Sequence, residues 1–196
     1  MQIQNSKRSL KKTKQWAKDN NNTIDLWAID EVHFQQHGSR CRMWIPPEVK
    51  DPVLLHHPTR KKIGYFGAVR LCDGSFIYKL ETESLNAQSF WEFLKQLESH
   101  SMHEGRRIMA ITDNAKYHHA LLHKEWRESV ANRFELAFLP PYSPELNPIE
   151  RVWKLTRRLC LHNKYFPNLE SIVDTVENQF DKWSVSNDIL RRLCAI

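Results

Sequence analysis

The chain has 196 residues, of which 41% are hydrophobic and 11% aromatic, and its formal net charge is +6. This length and composition favour one domain with a sizeable core and argue against global disorder. The sequence has no apolar run long enough to span a membrane, no apolar core of a secretion signal, and no CxxC pair among its four cysteines, so we expect no membrane partner and reduced thiols.

The positive charge is concentrated at the beginning of the chain. Residues 1–20 hold six basic residues, among them Lys11 and Lys12, against a single acid, so the rest of the chain is close to neutral. We expect residues 1–22 to be a basic arm or the remnant of a linker. Such an arm suits nonspecific contact with a phosphate backbone, although basic runs are also common on solvated surfaces.

The first third of the chain predicts strands. Residues 23–34 are apolar on both faces, which is typical of a central strand. Two more strand patterns, at 61–71 and 75–81, flank Asp73-Gly74, a strong hairpin-turn signal.

The intervening segment, residues 35–60, is mostly loop-like and contains four prolines. Within it, residues 40–47 are compatible with a further short strand.

The second half of the chain alternates between strand and helix patterns. Short apolar strands are predicted at 107–113 and 134–139. Helical patterns follow Asn86, a plausible cap, and recur at the ranges 116–131, 148–162 and within 168–196. Hairpins followed by strand–helix alternation predict an α/β domain over residues 23–196, with a mixed sheet flanked by helices.

Two acids stand at the ends of apolar strands. Asp30 lies near the end of the first strand, and Asp113 closes the strand that begins at residue 107. A carboxylate beside a buried strand is costly unless it is paired or binds a metal, although each acid alone also suits a turn. Because sites in open α/β sheets form outside the carboxyl ends of strands, the two acids together favour a functional site.

Glu150 has two interpretations. Asn147, Pro148 and Glu150 match the N-cap, N1 and N3 positions of a capping box. The same position would also fix a carboxylate rigidly, with Lys154 and Arg157 on its helix face. Three carboxylates brought together would repel one another unless divalent cations lay among them, and oxygen ligands select Mg²⁺ or Mn²⁺ over zinc.

Other kinds of site have weaker support. The five glycines fit neither GxGxxG nor GxxxxGK[ST], and GxSxG is absent. His119 and His123 have a spacing that can hold zinc, but neither HExxH nor a nearby cysteine pair accompanies them. His118, five positions after Asp113, could reach the same pocket as that acid or lie exposed on its helix.

Three stretches together resemble the catalytic blocks of DDE transposases: AIDEVHF, ITDNAKYHHA and LPPYSPELNPIERVWK. The resemblance is nearest to the mariner superfamily, in particular the bacterial insertion-sequence transposases grouped with it (the insertion-sequence-630 group), and it covers roughly residues 24–165. Matched block by block, it implies that Asp30, Asp113 and Glu150 are the catalytic, metal-binding acids. Asn114 and His118 of the second block are possible auxiliary residues.

The resemblance implies an RNase H-like fold with a five-stranded mixed sheet and two Mg²⁺ ions, for which Mn²⁺ could substitute. It implies cleavage of double-stranded DNA at transposon ends and strand transfer into target DNA, by a homodimer in the bacterial cytoplasm at the nucleoid. By the same resemblance, residues 35–60 would be a clamp-like insertion that contacts a partner subunit and DNA. We expect backbone contacts with DNA from five basic residues: Lys11, Lys12, Lys154, Arg157 and Arg158.

The sequence departs from the family at its beginning. Members normally carry helix-turn-helix domains before the catalytic domain, whereas only the basic arm precedes Asp30 here. Three interpretations of this difference therefore stay open: a truncated, a frameshifted or a decayed copy. So do two other functions: an RNase H-like endonuclease without strand transfer, and an inactive DNA-binding or dimerisation remnant.

Overall fold

One mixed sheet of five strands organises the part of the chain that the computed structural model describes, residues 15, 19, 23–37, 39–42, 44–49, 55, 59–101 and 105–195. The strands are β1 (Ile24–Gln35), β2 (Lys62–Arg70), β3 (Phe76–Glu81), β4 (Arg107–Thr112) and β5 (Phe134–Phe138). Their order is β3-β2-β1-β4-β5; the β1–β2 and β2–β3 pairs are antiparallel, and the β1–β4 and β4–β5 pairs are parallel. The predicted mixed five-stranded sheet, with the first strand at its centre, is confirmed.

Helices cover both faces of this sheet. The α-helices of the described ranges are α1 (Ala87–Ser101), α2 (Lys124–Ser129), α3 (Ile149–Thr156), α4 (Leu169–Asp181) and α5 (Asp188–Cys194). The predicted cap of α1 is confirmed, because Asn86 Oδ1 accepts hydrogen bonds from the backbone N–H groups of Gln88 and Ser89 at 2.9 and 3.0 Å.

The two faces of β1 pack against different helices. Ala28 and Val32 belong to a core that includes residues of α3, α4 and α5, whereas Trp27 and Ile29 belong to a core formed with α1. Side chains alternate between the faces of a strand. Asp30 therefore faces α3, and the next residue faces the α1 layer.

The structure corrects two expectations about the loops and helices before α3. Residues 40–42 and 44–47 form no strand. The helix predicted over 116–131 is instead two 3₁₀ turns, Lys116–His119 and Leu121–His123, followed by the short α2. Ala120 is extended (φ −59°, ψ 141°), which interrupts the helix between the two turns.

The last third of the chain is close to its prediction. The helix expected over 148–162 is α3 followed by a π-helical turn, Arg157–Leu161, and the expected C-terminal helical part contains α4 and α5. No helix in the described ranges is long and apolar enough to cross a membrane. Cys41 and Cys72 are exposed thiols, and Cys160 and Cys194 are buried thiols.

Candidate active site

Asp30 is held by a buried tryptophan of α3. The indole Nε1 of Trp153, a residue only 1% exposed, donates to Asp30 Oδ2 at 3.1 Å. Burial and the neighbouring carboxylates of Glu31 and Glu150 raise the pKa of Asp30 well above its usual value, while the Trp153 hydrogen bond opposes that rise. The indole therefore stabilises the ionised carboxylate in a position where negative charge is otherwise disfavoured.

The indole fits beside Asp30 because the neighbouring strand carries a glycine there. Gly67 is paired with Asp30 in the β1–β2 register. A Cβ atom at Gly67 would lie 2.4 Å from the Trp153 ring and 2.9 Å from the Phe76 ring. Glycine in a strand often marks such a close approach. Gly67 was not identified from the sequence.

The start of α3 ties Glu150 to the same strand, and it corrects the capping-box interpretation. Asn147 Nδ2 donates to the backbone oxygen of Ile29 at 3.0 Å, and no side-chain capping bond is found at the described start of α3. The Asn147 amide is thus turned toward the carbonyl next to Asp30 on β1, and its Oδ1, the atom that a capping box would use, has no hydrogen-bond partner among the described residues. Glu150 is half-buried, and its charge contributes to the raised pKa of Asp30.

Asp113 follows β4 directly. The parallel β1–β4 register pairs Ala28 with Ile111, and extending it by two positions brings Asp113 level with Asp30. The Asp113 carboxylate is engaged locally: Oδ1 accepts from the Ala115 N–H at 3.0 Å and lies 2.8 Å from Nδ1 of His118. The His118 hydrogen bond lowers the pKa of Asp113, although burial opposes the effect.

Glu31 is a further acid of the site that was not singled out from the sequence. Its Oε2 lies 3.7 Å from Nε2 of the fully buried His118. Both atoms are buried without a hydrogen-bond partner among the residues described. Burial raises the pKa of Glu31. The available signal was the Asp-Glu pair, two consecutive acids in a mostly apolar strand.

The three predicted acids thus lie on neighbouring elements but do not all engage one another. Glu150 and Asp30 are coupled through their charges, whereas Asp113 is bound to His118. Among the described residues, no three His, Cys, Asp or Glu side chains are arranged closely enough to hold a metal ion.

The chemistry of the acids nevertheless fits a divalent cation. Carboxylate oxygens are the hard ligands that Mg²⁺ prefers. Burial, and then the carboxylates of Glu31 and Glu150, raise the pKa of Asp30, and a bound cation would favour its ionised form. The buried Asn147 Oδ1, which has no hydrogen-bond partner in the described part of the chain, is a further oxygen beside this strand.

The predicted auxiliary residue Asn114 joins two loops. Its Nδ2 donates to the backbone oxygen of Leu139, and its Oδ1 lies 3.1 Å from Nε2 of His119. Asn114 therefore links the segment after β4 to the segment after β5.

The basic residues that were predicted to contact DNA differ in how exposed their side chains are. Lys154 and Arg158 are exposed, whereas the Arg157 guanidinium lies 5.7 Å from the centre of the Phe34 ring. Lys11 and Lys12, with most of the basic arm, lie outside the described residues.

The family model described as "DDE superfamily endonuclease" matches residues 25–173, a span that includes all three acids. A curated relative, "Uncharacterized protein y4pE/y4sA" of Sinorhizobium fredii (strain NBRC 101917 / NGR234), is 38% identical over 73 residues. That alignment covers 37% of this chain and 50% of the relative.

Solved structures of Mos1 transposase have the same fold. In a paired-end complex with the left transposon end, the transposase aligns with a TM-score of 0.69 and 19% identity, over 96% of this chain and 56% of that one. The catalytic domain of Mos1 mariner transposase aligns with a TM-score of 0.64 and 17% identity, over 97% of this chain and 85% of that one. The RNase H-like fold is thereby confirmed, and the chain spans little more than half of the transposase in the complex.

Proposed function

Because the chain belongs to the DDE superfamily endonucleases, we propose that it is the catalytic domain of a transposase, of the mariner superfamily and its bacterial insertion-sequence branch. The observation that carries the proposal is the grouping of three acids near the C-terminal end of β4, where Asp30 is level with Asp113 and the charge of Glu150 acts on Asp30. Asp30 lies on β1, Asp113 directly after β4, and Glu150 in the first turn of α3. This end of the sheet is where sites form in open α/β domains.

The proposed reaction has two in-line steps. In the first, a water oxygen bonds to phosphorus at the transposon end while the bond from phosphorus to the 3′ oxygen breaks. The water loses a proton to solvent and the leaving oxygen gains one, so the products are a 3′-hydroxyl and a 5′-phosphate. In the second, that 3′-hydroxyl attacks a phosphodiester of target DNA and releases a target 3′-hydroxyl.

The residues of this chain would hold and orient the reacting groups. Asp30, Asp113 and Glu150 would bind two divalent cations. When bound, such ions favour deprotonation of the attacking oxygen and stabilise the leaving one. Trp153 would keep Asp30 ionised and oriented, and His118 would do the same for Asp113 through its 2.8 Å contact.

The proposed partner is double-stranded DNA, bound by a homodimer. Exposed Lys154 and Arg158 lie on or just after the helix that carries Glu150, so a phosphate backbone bound there would run toward the acids. Replacing both residues with Gln should weaken binding to all duplexes alike. It should also reduce the dependence of binding on salt concentration, which fluorescence anisotropy would measure at several salt concentrations.

The test of function is nicking of a supercoiled plasmid, together with joining of a labelled oligonucleotide bearing a 3′-hydroxyl to that plasmid, in Mg²⁺ or Mn²⁺. We expect both activities to fall more than about 100-fold in Asp113→Asn and in Glu150→Gln. Replacing a residue that only hydrogen-bonds a metal ligand already costs about 10–100-fold, and these variants change a proposed ligand itself. Glu145→Gln is the matched control, because Glu145 is an exposed acid in the 3₁₀ turn just before α3.

Each outcome has a distinct meaning. Nicking without joining would identify an endonuclease that does not transfer strands. DNA binding with neither activity would identify an inactive remnant. If both acid variants matched the wild-type chain, the assignment of the three acids would be wrong.

A further inference from the structure

A pocket of about 480 Å³ opens beside Asp113. Its volume lies within the range of about 300–1,000 Å³ that is typical of ligand pockets. One wall is the segment from Asp113 to Ala115, and the other is the proline-rich loop 139–144 that leads toward α3. The pocket therefore adjoins the proposed reaction centre, yet the proposed chemistry assigns it no occupant.

The two walls of the pocket are joined by hydrogen bonds. Asn114 Nδ2 donates to the backbone oxygen of Leu139, and the Leu139 N–H donates to the backbone oxygen of Thr112 at 2.8 Å. Ser143 is buried, and its Oγ donates to the backbone oxygen of Pro141 at 3.3 Å. These bonds, and the fixed φ angles of the prolines, make the pocket a preformed feature.

Tyr142 presents its ring at the mouth of this pocket. The residue is fully exposed, at 101% of its reference accessibility, and it lines the pocket together with Pro141. Its φ of 55° lies in the left-handed region, which is an uncommon conformation for a bulky side chain. This loop thus displays an aromatic face that packs against no other residue in the described part of the chain.

Apart from Asp113, which the proposed function assigns to the metal ions, the described residues that line the pocket are uncharged. Asp113 contributes a carboxylate, and no Lys, Arg or His is among the described residues that line the cavity. The lining thus offers no cationic side chain to a phosphate, whereas a flat, neutral, aromatic group could stack on Tyr142 and lie against the proline rings. In DNA, that group is a nucleobase.

We propose that this pocket binds an unstacked nucleobase of the DNA strand whose phosphodiester lies at Asp113, with Tyr142 as the stacking surface. The inference rests on the proposed function for its substrate, DNA, but not on catalysis. Because the Asn114 amide and the Ser143 hydroxyl are already hydrogen-bonded within the protein, recognition would depend on stacking and shape. The subsite should therefore tolerate any base.

The test compares two single-stranded probes of equal charge: an oligothymidylate, and an oligomer of the same length in which every nucleotide is abasic. Binding is measured by competition in Ca²⁺, so that no cleavage is required. We expect the wild-type chain to prefer the probe with bases by about 5- to 150-fold, the range expected for one stacked base. Tyr142→Ala should abolish this preference, and Tyr142→Phe should keep it.

A second variant locates the effect in the pocket. Ala115 is half-buried and lines the cavity opposite the proline loop, so Ala115→Leu should fill the space and reduce the preference as Tyr142→Ala does. Far-ultraviolet circular dichroism would establish that both variants fold.

Three results would overturn the inference. The wild-type chain could bind both probes equally, Tyr142→Ala could retain the preference, or Ala115→Leu could retain it while folded. Failure of the proposed function is distinguishable, since a chain without nicking activity could still show a base preference that depends on Tyr142.

Discussion

The Trp153 indole donates to Asp30 Oδ2 at 3.1 Å and so joins α3 to the central strand at an acid of the candidate site. The same side chain is packed among aromatic rings, with its ring centre 5.8 Å from that of Phe76. One buried residue therefore stabilises the core and orients a carboxylate, and these two roles can be separated by substitution.

Trp153→Phe should keep most of the packing and remove the hydrogen bond. A hydrogen bond to a charged group contributes about 1.5–3 kcal/mol, so we expect nicking to fall about 10- to 150-fold. Trp183→Phe is the matched control, because Trp183 is equally buried and its ring centre also lies about 6 Å from that of Phe76, at 6.1 Å. Equal loss of nicking in the two variants, at equal unfolding free energies, would contradict an orienting role for Trp153.

Gly67→Ala should displace the Trp153 ring, because the new methyl group would lie 2.4 Å from it. Overpacking of this kind typically costs about 1–3 kcal/mol, which urea unfolding would measure. Gly64→Ala, on the same strand, would meet its nearest neighbours at 3.3 Å and should cost less. A Gly67→Ala chain as stable as the Gly64→Ala chain would show that the indole can move without penalty.

Asp25→Asn should destabilise the fold, although Asp25 is not one of the residues of the candidate site. Asp25 is 0% exposed and forms salt bridges with Arg70 at 3.2 Å and Arg106 at 3.5 Å. Removing one partner of a buried pair costs about 3–5 kcal/mol. Asp188→Asn, which removes an exposed pair with Arg191, should cost less than about 1 kcal/mol. Similar unfolding free energies for the two variants would contradict this difference.

Glu31→Gln should change how stability depends on pH. Burial raises the pKa of Glu31, so the folded chain binds this proton more tightly than the unfolded chain does. Its contribution to stability therefore falls as pH rises from the unfolded value, about 4.3, through the higher folded value. Glutamine does not ionise, so the variant should gain stability relative to the wild-type chain across that window.

Urea unfolding at several pH values between 4 and 8, about the window set by the carboxyl pKa values, would measure this gain. Glu135→Gln, at an exposed acid on the edge strand β5, serves as the control and should follow the wild-type profile. If Glu31→Gln followed that profile too, the burial of Glu31 would carry no energetic cost.

Local patterns were sufficient for most of the elements. The central strand, the Asp73-Gly74 turn, the Asn86 cap and the helix after Pro148 were predicted because each depends on a few adjacent residues. The segment 116–131 was predicted wrongly, although its composition is helical. His118 turns inward to contact Asp113 and Ala120 is extended, so tertiary contacts outweigh helix propensity there.

The sequence by itself determined the order of the elements and pointed to Asp30, Asp113 and Glu150, because strand patterns, a helix start and the blocks that resemble a family each lie in contiguous residues. Asp30, expected near a strand end, lies inside β1, which continues to Gln35. Only the tertiary structure decided what surrounds those acids. Trp153, Gly67 and Asn147 meet β1 from residues far along the chain, and their roles follow from distances of closest approach that no local pattern encodes. For the same reason, the cavity beside Tyr142 becomes visible only when the loop after β4 and the loop after β5 are brought together.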